Sequence, residues 1–363
     1  MSNWPDWLPL RTALTGLKPY GAPQLEEVVQ LNTNENPFSL PESVVAQMLE
    51  ALQSRLRNLN RYPDRDAVTL RASLAGYINA LSATSLSSEN IWAANGSNEI
   101  LQTIMLAMGE RGALGFLPSY SVHPLIAQVT NTPWTSGSRR ADFSLDLDQA
   151  VSEISSIKPG LTFVTTPNNP TGGAITILEV EQLAKATADV SGLLIVDEAY
   201  AEFSPELSAV TLLDRYPNVV VVRTMSKAFA FAGARVGYLV GRPEIIDAAL
   251  VTRLPYHLST QTQTIAEIAL ENSDLLLAGV RQLISERDRV AAALTSLGLS
   301  VLPSAANFLM FTGMKQSPTE MWEALVARGI LIRDIGIPGY LRVSIGTPVE
   351  NDQFLAEITA LTS

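Results

Sequence analysis

One lysine of this chain has neighbours that suit covalent chemistry better than solvation. The chain has five lysines, and Lys227 alone comes soon after an apolar stretch (219–222) and just before the small and apolar residues Ala228-Phe229-Ala230. A lysine that loses contact with water has a lowered pKa, so its neutral amine can add to an aldehyde. A solvated surface lysine is the ordinary alternative, and the apolar neighbours of Lys227 argue against it.

Residues that suit a phosphate group lie near this lysine in sequence. Thr224 and Ser226 offer hydroxyl groups, and Arg235 follows small residues (232–234) that permit close approach. A predicted helix start at Ser97-Asn98 would add backbone N–H groups. Arginine side chains and helix N-termini both bind phosphate. An ordinary capped helix start would explain Ser97-Asn98 equally well, so the prediction rests on the whole set.

A carboxylate ends a second apolar stretch, because Asp197 directly follows 193–196. Burying a carboxylate is costly unless a cation or hydrogen-bond donor pairs with it. A protonated pyridine nitrogen would be such a partner, and its charge makes the ring an electron sink. Tyr200 and Asn169 could reach an oxygen on the same ring, and Tyr120 could stack on its face. The ordinary alternatives are a loop cap for Asp197, a turn at Asn169 and a core position for Tyr120.

These side chains need a scaffold that brings them to one place. Apolar runs of strand length at 91–94, 113–117, 161–165, 193–197 and 219–223 alternate with stretches of helical periodicity. This alternation predicts an α/β fold with a mostly parallel sheet covered on both faces. Ligands bind such sheets at the carboxyl ends of the strands. Because the candidate residues follow these runs, we expect a single site at that edge.

The pattern also predicts three parts of the chain. Residues 1–40, rich in Pro, Asn and Gly, form an irregular arm that joins the smaller domain, and 41–258 form the large α/β domain. Residues 259–363 form a smaller α+β domain, in which a helical stretch over 260–297 precedes short strands.

Composition narrows the classes of partner. The formal net charge of -11 disfavours nucleic acid, and with two histidines and no cysteine we expect no metal site. No apolar run approaches the ~20 residues of a membrane span. The first residues lack the pattern of a signal peptide, and the absence of cysteine suits a reducing compartment. The sequence therefore predicts a cytoplasmic protein with small-molecule ligands.

Several longer motifs carry a family resemblance. Residues 165–172 (TTPNNPTG), 196–203 (VDEAYAEF) and 223–235 (RTMSKAFAFAGAR) resemble class II aminotransferases of fold type I, and within them the histidinol-phosphate aminotransferase family. Matches at 31–37, 60–64, 331–334 and 341–347 extend the resemblance over nearly the whole chain. Their order and spacing agree together, which makes the signal stronger than any single motif.

The resemblance implies pyridoxal 5'-phosphate as the cofactor, attached covalently to Lys227. Lys227, Asp197 and Tyr200 would be the catalytic residues. The implied cofactor contacts are Asp197 on the pyridine nitrogen, Tyr200 and Asn169 on the ring oxygen, Tyr120 on the ring face, and Thr224, Ser226, Arg235, Ser97 and Asn98 on the phosphate.

The resemblance also implies a homodimer, because Tyr62 would reach the phosphate of the neighbouring subunit's cofactor. Arg333 and Arg342 would bind the anionic end of the substrates, although an ion pair with Asp334 or another nearby acid could instead explain Arg333. The substrate pocket would include Tyr20, Asn34 and Tyr256.

The implied reaction belongs to histidine biosynthesis. Histidinol phosphate and 2-oxoglutarate would be interconverted with imidazole-acetol phosphate and glutamate by a ping-pong mechanism. The segment Tyr20-Gly21-Ala22-Pro23 departs from the Pro-Gly pair of many family members and is similar to an actinobacterial branch. Two alternatives keep the same cofactor, an aromatic amino acid aminotransferase and a decarboxylase of threonine phosphate. A non-catalytic binding protein is a distant alternative.

Overall fold

A computed structural model describes residues 4–19, 21–26 and 28–362. The strands are β1 (Val29–Gln30), β2 (Ile91–Ala94), β3 (Ala113–Leu117), β4 (Trp134–Ser138), β5 (Leu161–Thr165), β6 (Leu193–Asp197), β7 (Val219–Thr224), β8 (Gly237–Val240), β9 (Ser300–Val301), β10 (Phe308–Thr312), β11 (Ile330–Leu331), β12 (Arg333–Asp334) and β13 (Leu341–Ser344). The helices are α1 (Glu42–Leu56), α2 (Val68–Ser82), α3 (Ser97–Met108), α4 (Val122–Thr130), α5 (Leu147–Ile157), α6 (Ile177–Asp189), α7 (Pro243–Thr252), α8 (Thr260–Glu271), α9 (Ser273–Ser296), α10 (Pro318–Ala327) and α11 (Pro348–Thr362).

A seven-stranded sheet organises the larger part of the chain. Its strand order is β2-β8-β7-β6-β5-β3-β4, and β8 alone runs antiparallel to its neighbours. The carboxyl ends of the other six strands therefore lie at one edge, together with the start of β8. The predicted α/β fold with a mostly parallel sheet is confirmed.

Both faces of this sheet are covered, as its apolar strands require. All six residues of β7 are buried. Val220 and Val222 belong to one hydrophobic cluster, which includes Ile100 and Ile104 of α3. Val219 and Val221 belong to the other. Alternate residues of one strand thus pack into separate cores on opposite faces of the sheet.

The C-terminal region contains an antiparallel sheet of four strands in the order β12-β13-β10-β9. β1 of the N-terminal arm pairs in parallel with β11, which joins this part of the arm to the C-terminal region. Leu31, just after β1, also accepts a backbone hydrogen bond from Ser344. These contacts fit the expected association of arm and C-terminal region, while the three-domain division stays a prediction.

Three of the details that differ from the periodicity of the sequence concern β4, α7 and the stretch over 260–297. β4 was not predicted, because an exposed edge strand with the sequence Trp-Thr-Ser-Gly-Ser has no apolar run. α7 was also missed, although Pro243 occupies a first-turn position that favours helix starts. The predicted helical stretch over 260–297 is divided at Asn272, whose side-chain amide caps the carbonyl of Ile268.

Within the described ranges, no helix combines the length and the apolar character that crossing a membrane requires.

Candidate active site

A cavity of about 870 Å³ opens at the carboxyl edge of the seven-stranded sheet. Side chains from that edge form one wall, and the N-terminal arm with the C-terminal sheet forms the other. The predicted site residues that line it are Asn34, Ser97, Asn98, Tyr120, Asn169, Asp197, Tyr200, Thr224, Ser226, Lys227, Arg235, Arg333 and Arg342. The structure thus brings together residues that are far apart in sequence.

Lys227 lies just beyond β7 and lines the cavity. Burial lowers the pKa of Lys227 to about 8; Arg342 and Arg235 add to this effect, and Glu35 opposes it. The Nζ atom donates a hydrogen bond to the backbone carbonyl of Thr33 at 3.0 Å. Because this carbonyl is neutral, it orients the amine without stabilising its charge as a carboxylate would. A large fraction of the amine is therefore neutral near pH 8.

The start of α3 and Arg235 form a compact group suited to an anion. Gly96 has φ +85°, and a Cβ added there would lie 2.5 Å from Nη2 of Arg235. A Cβ on Gly237 would lie 2.4 Å from the nitrogen of Ser97. Both glycines are thus needed for the guanidinium and β8 to pack directly against the first turn of α3. This arrangement combines a cation with a helix N-terminus, as phosphate sites do.

Thr224 and Ser226 complete this corner of the cavity. The Thr224 hydroxyl donates to Ser226 Oγ at 2.9 Å, and both side chains are buried. The Ser226 backbone N–H donates to Thr224 Oγ1. These contacts fix two hydroxyl groups at the end of β7, adjacent to Lys227.

Asp197 has a partner that the sequence analysis missed. Its Oδ2 atom lies 3.0 Å from Nε2 of His123, and both side chains are buried. The His123 ring packs edge-on against Tyr120 and near Phe163, at centroid distances of 5.4 and 5.2 Å. His123 thus supports both the carboxylate and the aromatic ring that the sequence singled out. The sequence did offer one signal for His123, since it lies in α4 only three residues after Tyr120.

The hydroxyl group of Tyr200 contacts Asn34 and Asn169, and Asn169 in turn contacts Arg342. The side-chain amides of Asn34 and Asn169 donate to this oxygen at 2.9 and 3.4 Å. Arg342 donates from Nη1 to Oδ1 of Asn169 at 2.6 Å, and from Nη2 to the carbonyl of Asn32 at 2.7 Å. Tyr200 and Asn169, which are both predicted to contact the ring oxygen, are therefore hydrogen-bonded to each other.

Two arginines face each other at the C-terminal wall of the cavity. Arg333 of β12 and Arg342 of β13 occupy directly opposed positions of an antiparallel pair. Like charges in such positions destabilise a sheet unless something offsets their repulsion. Among the described residues Arg333 forms no ion pair with Asp334 or another acid, and the Asp334 carboxylate accepts hydrogen bonds from Thr319 and Gly336. The pair is therefore well placed to hold an anion.

Two predicted residues lie elsewhere, and a third is not described. Tyr62 and Tyr256 do not line the cavity of their own chain. Their rings stack on each other at 4.3 Å, and the residues are 79% and 41% exposed. Tyr20, expected in the substrate pocket, lies outside the described residues.

Comparison with known proteins agrees with this geometry. A family model for aminotransferase class I and II matches residues 26–358. This chain belongs to the class I and II aminotransferases. The aminotransferase is 52% identical over 353 residues to histidinol-phosphate aminotransferase of Nocardia farcinica, covering 96% of this chain and 91% of the relative. It is also 52% identical to the Mycolicibacterium smegmatis protein of the same name, covering 96% and 92%.

A solved structure of similar fold holds a cofactor. Histidinol-phosphate aminotransferase from Sinorhizobium meliloti, in complex with pyridoxal-5'-phosphate, matches this aminotransferase with a TM-score of 0.79 at 26% identity. The match covers 92% of this chain and 90% of that one. The resemblance drawn from the sequence motifs is thus confirmed, while the role of each site residue stays a prediction.

Proposed function

We propose that this aminotransferase exchanges amino groups between histidinol phosphate and 2-oxoglutarate, with pyridoxal phosphate attached to Lys227. The observation that carries the proposal is the opposed pair Arg333 and Arg342 in the cavity that contains Lys227. Both proposed substrates are dianions, and guanidinium groups bind phosphate and carboxylate alike. The names of relatives at 52% identity support the same substrate.

The residues present fit pyridoxal phosphate. Gly96 lets the Arg235 guanidinium lie directly against the first turn of α3, so that both could contact a phosphate. Asp197, buried and supported by His123, suits a protonated pyridine nitrogen. When bound, the cofactor supplies an aldehyde carbon for the substrate amine and a ring that accepts an electron pair. Lys227 and Tyr200, which line the same cavity, would hold its aldehyde and its ring oxygen.

Lys227 would serve as the acid and base of the reaction. Its pKa of about 8 leaves a useful fraction of the Nζ atom neutral at physiological pH, as a general base requires. Nζ would take the proton from the α-carbon of the amino donor and deliver it to the neighbouring carbon of the cofactor. The Thr33 carbonyl, 3.0 Å from Nζ, gives the amine a fixed resting direction inside the cavity.

Arg333 and Arg342 would serve both halves of the reaction. The phosphate of histidinol phosphate would bind between them in the first half, and the distal carboxylate of 2-oxoglutarate in the second. Either anion relieves the repulsion between the two guanidinium groups, so the same pair can accept substrates of different shape.

A homodimer would bring Tyr62 and Tyr256 to an active site. Both residues are exposed and stacked, outside the cavity of their own chain. Exposed leucines lie close to these tyrosines in the chain, with Leu56 and Leu59 before Tyr62 and Leu254 before Tyr256. Such patches mark protein interfaces. We expect a second copy to cover this surface and to receive Tyr62 at the phosphate of its cofactor.

Purified protein with pyridoxal phosphate tests the proposed reaction directly. We expect turnover of histidinol phosphate with 2-oxoglutarate at a higher kcat/KM than for phenylalanine. Borohydride should fix the cofactor to the peptide that contains Lys227, as detected by mass spectrometry. Preference for phenylalanine, or carbon dioxide release from threonine phosphate, would replace the substrate assignment, and an unmodified Lys227 peptide would overturn the cofactor assignment.

Mixing two inactive variants tests whether Tyr62 acts across subunits. In a random mixture of Lys227→Ala and Tyr62→Ala chains, half of the dimers contain one of each. Each mixed dimer has one site with an intact lysine and an intact tyrosine from the other chain. We therefore expect about a quarter of wild-type activity after the chains are unfolded and refolded together, provided that removal of one Tyr62 is strongly inactivating. No gain on mixing would contradict the shared site.

A further inference from the structure

We propose that Ser344, which does not line the cavity, is a positioning residue for Lys227 and Tyr200. The inference rests on the proposed function, because it concerns how the lysine amine is directed toward reacting atoms. Ser344 ends β13 and is 3% exposed. Its effect on the site passes through Asn34, with which its hydroxyl group makes two hydrogen bonds.

The first bond acts through a single peptide plane. The backbone N–H of Asn34 donates to Oγ of Ser344 at 2.8 Å. That N–H belongs to the same planar unit as the carbonyl of Thr33, and in a trans peptide the two groups point in opposite directions. The Thr33 carbonyl accepts the hydrogen bond from Lys227 Nζ at 3.0 Å. Ser344 on one side of the plane thereby sets the direction of the lysine amine on the other.

The second bond acts through the Asn34 side chain. The Ser344 hydroxyl donates to Oδ1 of Asn34 at 2.9 Å, and the Nδ2 atom of Asn34 donates to the hydroxyl oxygen of Tyr200 at 2.9 Å. An oxygen that accepts from Asn34 must direct its own O–H bond away from Asn34. The orientation of the Asn34 amide therefore helps to set the orientation of the Tyr200 phenol.

Asn34 needs this support because its backbone is unusual. Its φ of 55° lies in the left-handed region, which asparagine tolerates better than most residues but which still has an energetic cost. Asn307 also holds it, by donating to its carbonyl at 3.1 Å. Asn34 is 1% exposed, so water cannot replace a lost partner easily. Without the Ser344 hydroxyl, we expect the 33–34 peptide to rotate away from Lys227.

A purely structural role for Ser344 makes a different prediction. Loss of a buried hydrogen bond would lower stability and leave the chemistry of the folded enzyme unchanged. A positioning role changes kcat and the titration of the cofactor absorbance. The charged groups that act on Lys227, namely Arg342, Glu35 and Arg235, are unaltered in a Ser344 variant. A change in titration would therefore report altered hydrogen bonding.

The test compares Ser344→Ala with Ser344→Thr, which retains the hydroxyl, and with Thr132→Val. Thr132 is a matched control, because its buried hydroxyl donates to the Met105 carbonyl and it does not line the cavity. For Ser344→Ala we expect kcat to fall about tenfold with little change in KM, since a misplaced catalytic group costs rate more than binding. The pH at the midpoint of the absorbance titration of the bound cofactor should rise by roughly half a unit, because Tyr200 loses its orientation.

The remaining measurements separate the possible outcomes. Ser344→Thr should recover most of kcat, and Thr132→Val should lower the melting temperature without moving kcat or the midpoint. If Ser344→Ala folds poorly, Ser344→Cys, a weaker hydrogen-bonding group of similar size, should show a smaller shift in the same direction. Wild-type midpoint and kcat in Ser344→Ala would overturn the inference. Wild-type protein that neither turns over histidinol phosphate nor develops cofactor absorbance would instead overturn the proposed function.

Discussion

The two walls of the cavity hold their side chains by different means. In the sheet-edge wall, Asp197 and Lys227 sit at or just beyond the ends of strands whose residues are almost fully buried. In the C-terminal wall, Asn34 depends on Ser344, a partner 310 positions away in the chain. The first wall is therefore fixed by the sheet itself, whereas the second exists only when the arm and the C-terminal sheet are assembled.

The walls also differ in how their charges are balanced. The Asp197 carboxylate lies against His123, so the sheet-edge wall already contains its own polar partner. Arg333 and Arg342 instead oppose each other across two strands. The carboxylate of the sheet-edge wall thus has its polar partner before any ligand binds. The arginines of the C-terminal wall are stabilised most by an anionic ligand. Changes in the first wall should affect mainly the cofactor, and changes in the second mainly the substrates.

Gly96→Ala should give the largest loss and would affect the sheet-edge wall alone. The added Cβ requires Arg235 to move from its place beside α3, and the φ of +85° is unfavourable for alanine. Loss of charge-assisted hydrogen bonds to phosphate should weaken pyridoxal phosphate binding by about 100-fold, measured as the dissociation constant for the cofactor-free protein.

A second glycine provides the control for Gly96→Ala. Gly76 of α2 has no atom within 4 Å of an added Cβ. Gly76→Ala should leave cofactor affinity unchanged and raise stability slightly, because alanine favours helix interiors. Equal affinity of both variants and wild type would show that the close packing of Gly96 and Arg235 does not serve the cofactor.

Arg333→Gln should give a smaller loss, confined to the C-terminal wall. Removing one of two opposed charges weakens anion binding, so KM for histidinol phosphate and for 2-oxoglutarate should each rise about 10- to 30-fold in steady-state assays. The cofactor dissociation constant should not change. Arg328→Gln, which removes a surface ion pair with Glu357, is the matched control. A large fall in kcat at constant KM would mean that Arg333 acts on the chemistry rather than on binding.

The same contrast explains how much of the site could be predicted from sequence. Asp197 and Lys227 were recognisable because the apolar runs before them mark strands, and strand ends mark one edge of a sheet. His123 was missed because it lies within an apolar helix, where a histidine is ordinarily part of the core. The partnership of Asn34 with Ser344 joins two ends of the chain, and local patterns carry no information about such contacts.

The strands of the fold also differ in how well the sequence predicts them. Strands buried on both faces, such as β5 and β7, were recognised from their continuous apolar residues. The edge strand β4 was missed because most of its residues face solvent. The expected roles of Tyr62 and Tyr256 came only from the family resemblance and stay predictions, since an exposed tyrosine has no distinguishing pattern in sequence.

The last expected effect concerns the stability of the cofactor-free protein rather than binding. Lys227 has a pKa near 8 in the folded protein, below the ordinary value of 10.5. Below about pH 8 both folded and unfolded chains are protonated, so burying the charge destabilises the cofactor-free protein. As pH rises from about 8 to 10.5, the folded chain releases its proton first, and this penalty disappears. Cofactor-free Lys227→Met should therefore be about 2 kcal/mol more stable than wild type at pH 7.

Urea unfolding of the two cofactor-free proteins at pH 7 and at pH 10 measures this difference. We expect the advantage of Lys227→Met to shrink by most of its value at pH 10, because the wild-type amine is then neutral in the folded state. Lys185→Met, at an exposed position of α6, should show no such pH dependence. An equal advantage at both pH values would assign the gain to apolar packing of methionine. In that case, the amine would not be held in its reactive neutral form by burial.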